Sequence, residues 1–244
     1  MHWKGTTMIK LIAFDLDGTL TQHKTPLTPE NRAALEALSE KYQLVMAGAG
    51  LCMRIFDQLE HFPIDVIGSY GMQAGKYNRE TGALDIVMDA RVDVDRESVE
   101  KRVTALREKY GFTEFAGDNV QYHVSGCVTI PLLGTAAKQE DKLAFDPDRA
   151  KRRKIYAEVC ELFSEYNVFV GGSSSFDMAP RPYNKYYALD LYCREQGIAH
   201  DEVIFVGDDY GMGGNDESVY QSDFGFITID NYLDFPKRIR HLLD

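Results

Sequence analysis

Two apolar runs of strand length, "MIKLIAF" at 8–14 and "EVIFVG" at 202–207, each lead straight into aspartates: Asp15 and Asp17 after the first, Asp208 and Asp209 after the second. Strands buried on both faces read as such unbroken apolar runs, and open parallel sheets bind ligands outside the carboxyl ends of their strands. A chain with acids at two such ends is constrained to a fold in which both strands lie in one sheet and point the same way.

The pattern between the runs agrees. Thr28 as N-cap, Pro29 at the first helical position, and Leu35 and Leu38 three apart mark a helix within 28–42. "QLVMA" then reads as a strand, "LCMRIFDQLE" as a short helix and "IDVIGS" (64–69) as a third strand. Strand and helix in alternation predict an α/β fold, a doubly wound parallel sheet with helices on both faces.

From about Gln73 the rhythm changes. "AGKYNRETGALDIVM" reads as a hairpin across "NRETG", charged helices are predicted at about 95–110 and 147–166, and "VQYHVSGCVTIPLL", "NVFVGG" and "SFDMAP" read as strands. The expectation is an α+β domain at 73–182, largely antiparallel, inserted into a core formed by 1–72 and 183–244, with hinges near Gln73 and at "APRP". A helix at 184–196 and a strand at 224–229 return the chain to the core.

Composition narrows the function classes. No segment approaches the roughly 18 consecutive apolar residues of a membrane span, and the six residues between Met1 and Met8 are too few for a signal peptide's apolar segment. The stretch before Met8 reads as marking an alternative start or as an added remnant, and a cytoplasmic protein is expected. Cys52, Cys127, Cys160 and Cys193 include no C-x-x-C pair, so neither zinc nor a disulfide framework is indicated. A net charge of -11 disfavours nucleic acid, and "KRRK" at 151–154 reads as a solvated helix face.

The aspartates can do chemistry. Asp15 and Asp17 stand two apart where the strand gives way to a loop, so that one can face a substrate while the other serves it from the side, and Gly18 and Thr19 let the loop turn tightly. Crowded carboxylates call for a divalent cation, and an all-oxygen donor set favours Mg²⁺. "VGDDYGMGGND" adds Asp208, Asp209, Asn215 and Asp216 at the same sheet edge. Lys185 stands near a helix start, where the macrodipole does not favour a cation, although an exposed lysine is the commoner meaning of any single one. "AGAG" at 47–50 closes the second strand with small residues that permit close backbone approach at Gly48, yet Ala47 and Ala49 offer no hydroxyl.

In order, "AFDLDGTL", "NKYYAL" and "VGDDYGMGGND" resemble the haloacid dehalogenase (HAD) superfamily of phosphoryl-transfer enzymes, with its Rossmann-like core. "DGTLTQHKTPLTPENRAAL", "GGSSSFDMAPRPYNKYYAL" and "FVGDDYGMGGNDESVY" are similar, without gaps, to the eukaryotic-type phosphomannomutases, whose α/β cap is shared with Cof-like sugar phosphatases. The resemblance implies Asp15 as nucleophile, Asp17 as acid and base, and Lys185 steadying Asp15. It implies Mg²⁺ on Asp15, the Asp17 carbonyl and Asp208, supported by Asp209 or Asp216. Gly48, Lys142, Ser175, Asp177 and Asn215 are the implied substrate contacts, and two copies would associate through the cap.

The chain also departs from that family. Its cap arginines correspond here to Val124, Thr135 and Lys142, and a further arginine to Lys24, while the hydroxyl of the second sheet loop corresponds to Ala47 or Ala49. Lysine binds phosphate as a point charge without the bidentate fork of arginine, although Lys138, Arg181 or Lys142 could compensate. The expectation is therefore a Mg²⁺-dependent phosphatase of a small, sugar-like phosphomonoester. A phosphosugar mutase is the alternative, and an inactive phosphosugar-binding protein the second.

Overall fold

A computed structural model describes residues 8–244; the stretch before Met8 lies outside the described residues. The chain divides into two compact units. The larger runs through Asp89 and resumes at Asn184–Gly211 and Asp216–Asp244; the smaller comprises Ala90–Tyr183 with Met212–Asn215.

The larger unit opens with β1 (Leu11–Phe14), α1 (Pro29–Ser39), β2 (Gln43–Ala47), α2 (Cys52–Gln58), β3 (Asp65–Gly68), β4 (Gln73–Tyr77) and β5 (Leu84–Asp89). The smaller contains α3 (Arg96–Tyr110), β6 (Gln121–Tyr122), β7 (Val128–Pro131), α4 (Gln139–Phe145), α5 (Ala150–Leu162), β8 (Tyr166–Phe169) and β9 (Ser175–Pro180). The chain then returns through α6 (Lys185–Gln196), β10 (Val203–Gly207), α7 (Glu217–Tyr220), β11 (Gly225–Thr228), α8 (Phe235–Arg238) and α9 (Arg240–Leu243).

The larger sheet has the order β11-β10-β1-β2-β3-β4-β5, parallel from β11 to β3. Side chains alternate across it, as strand geometry requires. Ile12, Phe14, Leu44, Met46, Ile204 and Val206 pack on one face with α1, α2 and α8, while Leu11, Ala13, Val45, Val203 and Phe205 pack on the other with α6 and α7. Because Phe14 is paired with Val206, the aspartates that follow β1 and β10 emerge at one edge, as their sequences predict. Thr28 caps α1, accepting from the Asn31 N–H, and Pro29 stands at its first position.

One expectation needs correction. The hairpin of β4 and β5 does not open the inserted module: β4 pairs antiparallel with β3, and β5 with β4, so both extend the larger sheet. The link from β3 to β4 is too short for a parallel crossover, which needs a dozen or more residues, so the chain turns back antiparallel. The smaller unit therefore begins at Ala90 instead of 73. Its sheet, β6-β7-β9-β8, is antiparallel throughout. Val128, Ile130, Phe176 and Met178 pack on one side against Val99, Val103, Ile155 and Val159 of α3 and α5, which turns Thr129, Ser175 and Asp177 to the opposite face.

The basic run on α5 also differs from its reading. Arg152 is fully buried, because the helix turns this one residue inward onto Asp146 while Lys151 and Lys154 stay exposed.

Candidate active site

In the larger unit the ends of β1 and β10 bring Asp15 and Asp208 together with Asp216, each offering a carboxylate oxygen within 4.8 Å of the others. Lys185, the first residue of α6, is buried and lies 2.5 Å from Asp15 Oδ1 and 2.6 Å from Asp216 Oδ1. Asn184 caps that helix through its side chain, which accepts from the Tyr187 N–H at 2.8 Å, and so fixes where Lys185 starts. Burial works against the ammonium, but Asp15 and Asp216 more than offset it and hold Lys185 protonated. The same burial raises the Asp15 carboxyl well above the usual carboxylate range, with Lys185 pulling the other way. Burial and then Asp216 push Asp208 up to about 6.

Three carboxylates crowded at one sheet edge form a donor set suited to a hard divalent cation. Thr19 donates to Asp208 Oδ1 at 2.8 Å, and Gly18, at φ +100°, leaves the space the Asp208 carboxylate fills; a Cβ there would collide with it. Asp216, expected only in support, is a full member of the cluster. Asp209 is joined to it through its backbone, its N–H donating to Asp216 Oδ2 and its carbonyl accepting from the Asp216 N–H.

The Asp17 carboxylate points elsewhere. It accepts from Gln58 Nε2 at 2.7 Å, the Lys24 N–H at 2.8 Å and Arg54 Nη2 at 3.4 Å. Burial raises this carboxyl, but Gln58, Lys24, Arg54 and His23 together outweigh it and leave it below the ordinary value. Two sheet-edge carboxylates two residues apart thus have opposite environments, one driven toward protonation and one held ionised. Gln58 and Arg54 escaped the sequence reading; their i, i+4 spacing on α2 was visible, but nothing local names Asp17 as their partner.

The "AGAG" loop is less available than expected. The Gly48 N–H donates to Ile67 O at 2.9 Å, and the Cys52 N–H, at the start of α2, to Gln73 Oε1 at 2.8 Å. These two donors are therefore committed within the protein, and the loop's side chains, Ala47 and Ala49, supply none.

In the smaller unit, Asp177 lies opposite Thr129 across β7 and β9 and accepts from its hydroxyl at 2.8 Å, while His123 Nε2 stands 3.1 Å from the same hydroxyl. Burial pushes the Asp177 carboxyl up. The Ser175 hydroxyl donates to Gly171 O at 3.1 Å. Lys142 and Thr135 do meet: Lys142 Nζ donates to Thr135 O at 3.0 Å. Val124 is 78% exposed and brings no charge. Asn215 belongs to the short segment grouped with this unit, where Gly213 O accepts from the Val170 N–H.

The sequence model described as eukaryotic phosphomannomutase matches residues 116–243, just over half of the chain. The chain belongs to the eukaryotic phosphomannomutase family. Within that family it is 28% identical over 228 residues to the phosphomannomutase of Triticum aestivum, covering 87% of this chain and 86% of the relative. It is 23% identical over 246 residues to a probable phosphomannomutase of Caenorhabditis elegans, covering 94% and 92%. Among solved structures, IMP-bound Plasmodium falciparum IMP-nucleotidase superposes with a TM-score of 0.66 at 17% identity, over 96% of this chain and 68% of that one. A phosphatase of the HAD superfamily from Bacteroides thetaiotaomicron gives 0.60 at 18% identity, over 99% and 97%. These likenesses show a shared fold. No helix among the described residues is long and apolar enough to cross a membrane.

Proposed function

We propose that the protein is a phosphosugar phosphotransferase of the phosphomannomutase type, moving a phosphoryl group through Asp15. The observation that carries this reading is the family match over residues 116–243, which spans not only the Lys185 and Asp208 segments but most of the smaller unit. That unit carries Ser175 and Asp177, the residues the resemblance assigns to the sugar, so the likeness reaches past the reacting groups to those that select a substrate. The relatives named as phosphomannomutases weigh toward isomerisation over the hydrolysis expected from the missing arginines.

In the proposed reaction an Asp15 carboxylate oxygen attacks phosphorus, the bond from phosphorus to the sugar oxygen breaks, and Asp17, which takes up a proton from solvent once the anionic substrate is bound beside it, delivers that proton to the leaving oxygen. In the second half, Asp17 takes the proton from an acceptor hydroxyl, whose oxygen attacks the aspartyl phosphate and frees Asp15. Lys185 keeps Asp15 oriented and holds down its affinity for protons, without which a buried carboxyl would not be nucleophilic. Asp15, Asp208, the Asp17 carbonyl and Asp216 would hold Mg²⁺, which when bound neutralises charge on the carboxylates and the transferring group.

Hydrolysis, with water as acceptor, is a second reading, favoured by one observation: the positions corresponding to the family's cap arginines offer a single cation, Lys142, already bonded to Thr135 O. One assay separates the two. Purified protein with Mg²⁺ is given mannose 1-phosphate with and without a hexose 1,6-bisphosphate. Isomerisation that requires the bisphosphate is expected; phosphate release without isomerisation would replace the proposal with the phosphatase, and tight binding without turnover would replace it with a binding protein.

A further inference from the structure

The acidic edge of the larger unit has a shortage of side-chain donors for an anionic group. Asp15, Asp17, Asp208 and Asp216 stand against one buried ammonium, Lys185, which is fully engaged with Asp15 and Asp216. The loop beside them contributes nothing by side chain, being Ala47, Gly48, Ala49 and Gly50, and its Gly48 N–H is spent on Ile67 O. At the first turn of α2 the Cys52 N–H is spent on Gln73.

The Arg54 side chain occupies the space this leaves. Its guanidinium folds back along α2 and lies directly over Gly50, where any Cβ would overlap its Nε and Nη2. One terminal nitrogen donates to Gln58 Oε1 at 2.8 Å, and the other reaches Asp17 Oδ2 only at 3.4 Å, a long contact for a charged pair. A guanidinium has five N–H donors; here the side chain is still 41% exposed, so donors remain on its open side. Gln58 braces it and Asp17 together, donating to Asp17 Oδ1 at 2.7 Å and standing 2.9 Å from the Thr21 hydroxyl. The group is thus held at the mouth of the Asp15 and Asp17 site without being consumed there.

We infer that Arg54 is a substrate-binding residue, whose guanidinium grips the oxygens of the phosphoryl group at the "AGAG" loop in place of the side-chain donor that the loop itself lacks. This rests on the proposed phosphoryl transfer at Asp15. A planar fork pairs with two phosphate oxygens at once, which a single hydroxyl cannot do. Gly50 is then the residue that lets the fork lie flat on the loop.

The test compares wild type with Arg54→Gln and Arg54→Lys, by steady-state kinetics on mannose 1-phosphate and by calorimetric titration with inorganic phosphate. Removing the fork should raise KM and weaken inorganic phosphate by about tenfold or more while kcat changes little, with lysine intermediate. Unchanged KM and unchanged phosphate affinity would overturn the inference. So would a fall in kcat alone with a shifted pH profile, since that pattern would mean Arg54 only positions Asp17. Should the wild type turn over no phosphoester, the functional reading fails by itself, and the phosphate titration still decides whether Arg54 binds the anion.

Discussion

Lys185 and Asp208 show what a single buried charge costs and what relieves it. Lys185 answers two carboxylates at 2.5 and 2.6 Å, so Asp208 is the member of the cluster left to burial and to Asp216. A carboxyl raised in the folded state stabilises the fold below its ordinary range, near 4, and that contribution is lost as the pH climbs through the raised value. Since Asp208 is pushed up to about 6, the metal-free wild type should lose thermal stability relative to Asp208→Asn between about pH 4 and pH 6. Mg²⁺ should raise the wild-type midpoint more at pH 7 than at pH 5, and should do little for the variant. A Mg²⁺ effect of equal size at both pH values would contradict this assignment. Such detail was only partly legible in the sequence. Paired aspartates at two strand ends announced the cluster, but Asp216 joined it because the glycine-rich loop folds back, and no spacing rule prescribes that.

At the scale of elements, α5 and the turn before β9 form a small machine for holding shape. Arg152 pairs with the buried Asp146 at 2.8 Å, and its Nη1 donates to the carbonyls of Gly171, Gly172 and Ser175 at 2.6, 3.2 and 3.0 Å. That turn carries Ser175 and leads to Asp177, whose carboxylate lies so close over Gly171 that any Cβ there would collide with it. Breaking a buried ion pair by removing one partner costs about 3–5 kcal/mol, because the other charge is stranded. Arg152→Ala should therefore destabilise the protein by about that much in urea unfolding, and Arg152→Lys should recover only part, lacking the fork that reaches three carbonyls. A loss below about 1 kcal/mol for alanine would show that the turn holds itself. The sequence showed "KRRK" as four like charges on a helix; which one turns inward depends on the phase of the helix against its sheet, and that phase is a tertiary fact. The same holds for α2, where Arg54 and Gln58 gain their meaning from Asp17, far away along the chain.

For the whole molecule, the alternation of strands and helices was legible because the apolar runs of β1 and β10 are buried along their whole length and α1 and α6 carry side-chain caps at their starts. Thr28 and Pro29 behave as read, and the strands ending at Asp15 and Asp208 are parallel neighbours. The boundary of the inserted module was not legible from the change of rhythm. A switch from parallel to antiparallel pairing looks the same in sequence whether a new domain begins or a sheet gains an antiparallel edge, and here β4 and β5 are that edge. The most direct test of the central claim follows the phosphoryl group itself. Wild type and Asp15→Asn are mixed with Mg²⁺ and a hexose 1,6-bisphosphate carrying radioactive phosphorus, quenched in acid within milliseconds, digested and mapped. Label on the peptide that contains Asp15 in the wild type, and none in the variant, is the predicted result; turnover by the wild type with label on another residue, or undiminished turnover by Asp15→Asn, would contradict it.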